Sequence, residues 1–359
     1  MYGNLIMKLD IIHQGDCLEI LKSIPDESID LIFADPPYNM QTEGDLLRTN
    51  GTVFNGVSDA WDKFDDLQSY DNFCKSWLTE CRRILKKDGA IWVIGSFQNI
   101  FRLGYIMQDL GFWILNDVIW AKPNAVPNFG GTRFQNSHET LLWCSKSKGA
   151  KYHFNYKTMK YINGGKQMKS VWNIGICIGG ERIKDENGNK VHSTQKPESL
   201  LTNIILSSTQ IGDVVLDPFF GTGTTGAIAK KYGRRYIGIE REQKYIAHAI
   251  KRINEVEVEV SDISKAAYDV KPPKVSLKTL IDKGYVHVGQ KFYDGKREKF
   301  AILNSDGTVQ YNDQIGSIHK ISACMTNKTS CNGWNYFWCD LNGQFCSINS
   351  LRYLESNNN

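Results

Sequence analysis

Apolar and polar positions alternate in blocks along the first 256 residues. Seven short apolar runs read as strands: 10–15, 29–35, 90–96, 113–122, 139–146, 214–219 and 235–240. Between them, apolar residues recur at helical spacing. One such helix covers about 17–24; another carries Phe73, Trp77, Ile84 and Leu85 and stops at Lys86-Lys87-Asp88-Gly89. Further helices are expected near 99–110, from Lys196-Pro197-Glu198 onward, up to about 232, and over 243–256. Strands alternating with helices imply an α/β doubly wound sheet. The pattern fails twice, over 39–66 and over 147–192, and structureless connections of that length in a compact domain suggest binding loops. Residues 257–274, with Lys271-Pro272-Pro273, read as a linker, and 275–359 as a small separate domain with β content, its short strands punctuated by Asp-Gly and Asn-Gly.

The chain has 359 residues, 41% hydrophobic and 23% charged, with a net charge of only +4, so bulk charge does not force a nucleic-acid reading. Its distribution says more. Ten Lys/Arg against three acids fall within 146–190, a candidate phosphate-contact segment. Nine cysteines with no C-x-x-C pair argue against both a disulfide framework and a zinc site, so a metal-free protein is expected. Neither a signal peptide nor an 18-residue apolar run is present, and a cytoplasmic location with no membrane partner is expected.

Two strand tips carry the candidate chemistry. Asp35-Pro36-Pro37-Tyr38 follows the apolar run 31–34. Proline cannot extend a ladder, so the chain must turn into a fixed loop. That loop offers a carboxylate, a carbonyl and a flat ring, groups that suit a planar heterocycle bearing an amino group. The rival reading is a proline-stiffened turn with a surface tyrosine. The second tip runs Asp217-Pro218-Phe219-Phe220-Gly221-Thr222-Gly223-Thr224-Thr225-Gly226. Its glycines satisfy G-x-G-x-x-G, but Asp217 stands where a pyrophosphate would rest on the helix N-terminus and would repel it. A cofactor with an ammonium group fits better, and Glu240, ending the next strand, can take both hydroxyls of a ribose. Together these describe S-adenosylmethionine rather than NAD.

These motifs resemble the amino-methylating DNA methyltransferases, in the circularly permuted order of their β group, catalytic motif first. Gly15-Asp16-Cys17 resembles the segment lining the cofactor's adenine, and Thr194-Gln195-Lys196-Pro197 the segment closing over its methionine end. Asn128 with Phe129–Glu139, Gly316–Ile321 and Cys331–Trp334 resemble the HinfI-type and cell-cycle-regulated enzymes, which methylate adenine in GANTC. The resemblance implies a Rossmann-like methyltransferase domain over 1–256 (catalytic half 1–146, target-recognition insertion about 147–192, cofactor half 193–256) and a C-terminal DNA-binding domain over 275–359.

It also implies the roles. Asp35 and the Pro36 carbonyl would accept the two hydrogens of the adenine amine, Pro37 would set the loop and Tyr38 would stack on the base. Asp16, Cys17, Asp35, Thr194, Lys196, Asp217, Phe219, Gly221, Gly223, Thr224 and Glu240 would hold S-adenosylmethionine. The target must leave the duplex to reach such a pocket. Double-stranded DNA is thus the expected partner, contacted by Asn39, Arg48, Arg133, Asn136, His138, Lys166, Lys169 and Arg182. In the C-terminal domain Ser317, Asn332 and Trp334 would join them, Trp334 stacking on an unpaired base. A cognate restriction endonuclease and a homodimer are further partners left open. A cytosine 4-amino methyltransferase and a DNA-binding regulator with a vestigial site are the rivals; family usage of Asp in the position of Asp35 argues for adenine.

Overall fold

The computed structural model describes residues 7–39, 46–47, 53–54, 63–128, 130–270, 272–341 and 343–354. The chain divides into two units, Met1–Asp269 and Val270–Asn359. Among the described residues, no helix is long and apolar enough to cross a membrane.

The first unit is built around β2 (Ile29–Ala34), whose alternate residues feed both faces of a sheet. Ile32 and Ala34 join one core with α1 (Cys17–Ser23), α2 (Leu67–Ile84) and α3 (Ile100–Asp109). Leu31 and Phe33 join the opposite core, which takes in α5 (Glu198–Ser208), α6 (Thr224–Lys231) and part of α7 (Gln243–Asn254). Strands buried on both faces read as continuous apolar runs, hence their legibility in the sequence. The remaining strands are β1 (Ile11–Gln14), β5 (Leu85–Gly95), β6 (Trp113–Ala121), β7 (His138–Ser145), β8 (Val171–Asn173), β9 (Val214–Asp217) and β10 (Arg235–Glu240). The order β1-β10-β9-β2-β5-β7-β6-β8 is that of a doubly wound sheet, made mixed by β7, which runs antiparallel to both neighbours. β3 (Leu46–Leu47) and β4 (Val53–Phe54) pair separately.

Three local expectations differ from the structure. Lys86 to Gly89 lie in β5 rather than in a last helical turn: Leu85 already pairs with Ile29, and Lys86 Nζ reaches Asp30 Oδ1 at 2.6 Å. Gly89 serves a close approach, since a Cβ there would sit 3.0 Å from the Asp30 carbonyl oxygen. Inside 147–192 stand α4 (Tyr156–Ile162) and β8, too short to show periodicity. The segment read as a linker is packed on the first unit as far as Asp269. The Asp269 carboxylate accepts from the Lys157 and Thr158 N–H groups at 2.7 and 2.8 Å, capping α4, and the buried Arg234 donates to the Ser264 carbonyl.

The second unit holds an antiparallel sheet, ordered β14 (Gln314–Gly316), β13 (Val309–Tyr311), β12 (Phe300–Leu303), β11 (Lys291–Tyr293), β15 (Trp338–Leu341) and β16 (Gln344–Ser347). One face packs on α8 (Leu277–Asp282), α9 (Ile318–Met325), α10 (Gly333–Tyr336) and α11 (Leu351–Leu354). Asp294-Gly295 and Asp306-Gly307 do fall between strands, but Asn332-Gly333 opens a helix. There Gly333 lies against the Ile318 carbonyl, which a Cβ would meet at 2.4 Å.

Candidate active site

The register of the sheet lines up the predicted groups. Gln14 pairs with Glu240, Gly238 with Asp217, and Ile32 with Leu216, all in parallel strands. Gly15-Asp16, Glu240, Asp217 and Asp35 therefore emerge in that order along one edge, at strand carboxyl ends where open α/β sheets bind ligands. Because β7 is antiparallel, its first residues, His138 and Glu139, arrive at the same edge, beside Lys122 at the end of β6. A cavity of about 740 Å³ opens there, lined by Asp35 to Tyr38, Lys122, Glu139, Thr194 to Lys196, Asp217 to Gly221, Glu240 and others of the first unit.

Pro36 and Pro37 are buried, and the loop they make is tied from behind. Tyr70 Oη donates to the Pro37 carbonyl at 3.0 Å and accepts from Asn99 Nδ2 at 2.9 Å. In front, Lys196 Nζ donates to Asp35 Oδ2 at 2.6 Å. Tyr38 Oη lies 2.9 Å from Asp35 Oδ1 and 3.0 Å from Glu139 Oε2, while Glu139 Oε1 accepts from Lys122 Nζ at 2.9 Å. Burial raises the Asp35 carboxyl above its ordinary range, against the pull of Lys196. Burial also acts to raise Glu139, but Lys196 and Lys122 outweigh it and hold that carboxyl low. Lys196, expected on the cofactor, lines the cavity with its ammonium on the Asp35 carboxylate. Lys122, Tyr70 and Asn99 carry no local signal in the sequence, and Glu139 showed only as part of a motif.

On the other side of the cavity, Asp217 is 3% exposed. Its oxygens accept from the Phe219 N–H at 2.9 Å and from Thr225 Oγ1 at 2.6 Å, and burial pushes its carboxyl up to about 7. Gly221 and Gly223 have φ of +51° and +76°, left-handed values that favour glycine. Gly221 donates its N–H to Glu240 Oε2 at 2.7 Å, and Glu242 donates to Glu240 Oε1 at 2.9 Å, so this carboxylate is oriented before any ligand arrives. Gly226, the third glycine, is a packing glycine: a Cβ there would meet the Phe220 ring at 2.5 Å. Phe219 packs edge-on to Trp77 with centroids 5.3 Å apart. Thr224 Oγ1 donates to the Lys196 carbonyl at 3.3 Å, linking the glycine loop to the 194–197 segment. Thr194 donates its N–H to His192 Nδ1 at 3.1 Å; burial, aided by Lys196 and Arg182, lowers that imidazole to about 4. Asp16 caps α1 through the Leu18 N–H at 2.8 Å, and burial drives the neighbouring Cys17 thiol to about 12, an inert wall group. A buried carboxylate, an oriented carboxylate next to it and an aromatic wall fit an ammonium, a ribose and an adenine.

The residues expected on DNA divide. Arg133, which lies 5.4 Å from the Phe97 ring, and Asn136 line the cavity, and His138 is exposed at the start of β7. Beside Arg133 stands Phe134, 97% exposed, which no pattern singled out. Asn39 follows Tyr38 with a left-handed φ of 53°. Lys166 and Lys169 are exposed after α4, and Arg48 lies outside the described residues. Arg182 is a structural clamp instead, donating to the carbonyls of Cys177, His192 and Ser193 at 2.9, 3.0 and 2.7 Å. In the second unit Ser317 and Asn332 are helix caps, accepting from the Lys320 and Trp334 N–H groups. Trp334 is 9% exposed, part of the core, with Arg352 over its ring at 4.9 Å, so it is not the exposed platform expected.

A family model described as DNA methylase matches residues 29–251, the stretch that contains both strand tips. The chain belongs to this DNA methylase family. A second model, described as Restriction Enzyme Adenine Methylase Associated, matches residues 258–353 of this methyltransferase. The Type II methyltransferase M.HinfI of Haemophilus influenzae is 62% identical over 357 residues, 99% of each chain. The Type II methyltransferase M2.DpnII of Streptococcus pneumoniae is 40% identical over 261 residues, 70% of this chain and 95% of that protein. Among solved structures, the M1.HpyAVI–SAM complex is 26% identical, covers 68% of this methyltransferase and 98% of its own chain, and gives a TM-score of 0.50. The cytosine-N4-specific PvuII DNA methyltransferase, 21% identical with a TM-score of 0.54 over 72% of this chain and 93% of its own, shares the fold.

Proposed function

We propose that this DNA methyltransferase transfers the methyl group of S-adenosylmethionine to the 6-amino group of an adenine flipped out of duplex DNA, within GANTC. The pairing of Ile32 with Leu216 carries this reading, because it sets the Asp35 and Asp217 loops side by side in one cavity. Full-length likeness to M.HinfI and the description of the second family model support adenine and a HinfI-type target.

S-adenosylmethionine supplies an electrophilic methyl on a cationic sulfur. Asp217 would take its ammonium group, Glu240 its ribose hydroxyls, and Phe219, with the Asp16-Cys17 turn, its adenine. The adenine amine is a poor nucleophile because its lone pair is delocalised into the ring. Asp35 and the Pro36 carbonyl accept its two hydrogens, which lets the nitrogen pyramidalise and aim the lone pair at the methyl. Tyr38 stacks on the base, and Asp35 takes the surplus proton. Arg133, Asn136 and His138 at the cavity rim, with Lys166 and Lys169, hold the DNA, phosphate contacts setting position and edge contacts sequence. A DNA substrate favours a cytoplasmic, nucleoid-associated enzyme, and the Type II names of its relatives support a partner endonuclease that cuts the same site.

Transfer of labelled methyl to a GANTC duplex and to a scrambled one, followed by digestion to nucleosides, tests the reading. Label in N6-methyladenine from the first duplex alone supports it. Label in methylcytosine, or equal labelling of both duplexes, contradicts it.

A further inference from the structure

Tyr38 stands between two carboxylates, with Oη 2.9 Å from Asp35 Oδ1 and 3.0 Å from Glu139 Oε2. A phenol has one hydrogen and can donate it along only one of these directions. Whichever carboxylate receives it leaves the other facing the lone pairs of the phenol oxygen.

The surrounding charges decide the contest. Glu139, on β7, has Lys122 at 2.9 Å on Oε1 and Lys196 at 4.0 Å from Oε2, and so stays ionised. Asp35 has Lys196 at 2.6 Å on Oδ2 and feels the negative charges of Glu139 and, across the cavity, Asp217. His192, which feels the charge of Lys196, is held neutral.

We propose that Glu139 is a positioning residue for methyl transfer: it holds the Tyr38 hydrogen, turning the phenol oxygen into an acceptor that favours a proton on Asp35 Oδ1. The inference rests on the reading that Asp35 receives the amine of the target base. In the step, the amine nitrogen forms a bond to the methyl carbon with its lone pair. The carbon–sulfur bond breaks with its electron pair left on sulfur, which becomes a neutral thioether. The nitrogen, now cationic with one hydrogen too many, gives a proton to Asp35, which becomes a neutral acid donating to Tyr38 Oη. The phenol keeps its own hydrogen on Glu139 throughout.

The test is the pH profile of single-turnover methyl transfer by the full-length enzyme. Glu139→Gln removes the charge at constant size; Glu139→Asp keeps the charge but withdraws it from Tyr38. In both variants the Tyr38 hydrogen turns to Asp35 and weakens it as a base. The rate is expected to fall about tenfold and its acid limb to move down by about one pH unit. Calorimetric binding of S-adenosylmethionine, which monitors folding, should be unchanged. In a Tyr38→Phe background, Glu139→Asp, which keeps the charge, should shift the limb no further. An acid limb unmoved in both variants, or moved equally in the Tyr38→Phe background, overturns the inference. If the unaltered enzyme transfers no methyl to adenine, the functional reading has failed instead.

Discussion

Lys196 Nζ lies 2.6 Å from Asp35 Oδ2, joining residues 161 positions apart in sequence. Their side chains are 8% and 17% exposed, so this is a buried pair whose members need one another. Breaking such a pair leaves an uncompensated buried charge. Lys196→Met is expected to destabilise the first unit by about 3 kcal/mol at neutral pH. The loss should shrink in acid, where Asp35 is protonated and no charge is stranded. Urea unfolding at neutral and acid pH measures both. Methyl transfer should collapse, while affinity for S-adenosylmethionine changes little, because the ammonium contacts the Asp35 carboxylate.

Asp217 gives a second pH dependence, with its sign fixed by burial. Its carboxyl is raised from 3.8 to about 7, so the folded chain holds a proton the unfolded chain releases. The stabilising contribution is present below 3.8 and is lost as pH rises toward 7. A cation at Asp217 favours the ionised form. Binding of S-adenosylmethionine should therefore release a proton, and its affinity should climb with pH up to about 7 and then level. Asp217→Asn should bind more weakly and with little pH dependence. Calorimetry in buffers of different ionisation enthalpy counts the proton.

Trp334 is expected to matter for folding rather than for base stacking. Replacing it with alanine removes a core ring from the second unit, at a cost of about 3–4 kcal/mol. Asn332→Ala, which loses a helix cap, should cost only about 1 kcal/mol. Urea unfolding of the full chain, followed by far-UV circular dichroism, should show Trp334→Ala shifting one transition and sparing the other. A folded Trp334→Ala variant with impaired DNA binding would contradict this assignment.

Gly238 pairs with Asp217 across β10 and β9, and a Cβ there would meet the Phe220 ring at 2.5 Å. Gly238→Ala should cost about 1–3 kcal/mol through overpacking and should weaken cofactor binding, because Phe220 adjoins Gly221. Thermal melting with and without S-adenosylmethionine separates the two effects.

What the sequence disclosed follows from the physics of each part. Strands buried on both faces announce themselves as apolar runs, and the tips at Asp35 and Asp217 could be read because proline and glycine break the ladder beside a carboxylate. The partners that hold those tips stayed hidden. Glu139 and Lys122 meet only because β7 runs antiparallel to β6, and Tyr70, held by Asn99 from the start of another helix, reaches the Pro37 carbonyl. None of these leaves a spacing signal. Arg182 and Trp334 misled for a related reason: a cation can satisfy backbone carbonyls as well as phosphates, and a tryptophan after Asn-Gly can follow a helix cap as readily as a turn.

The Asp35 loop is expected to grip the amine to be methylated, facing a cofactor held at Asp217. A crystal structure with a GANTC duplex and an unreactive cofactor analogue tests it most directly. The expected result is an extrahelical adenine on Tyr38, its amine within hydrogen-bond reach of Asp35 and the Pro36 carbonyl, and the analogue's ammonium on Asp217. An adenine still paired in the duplex, or an amine turned away from Asp35, would contradict it.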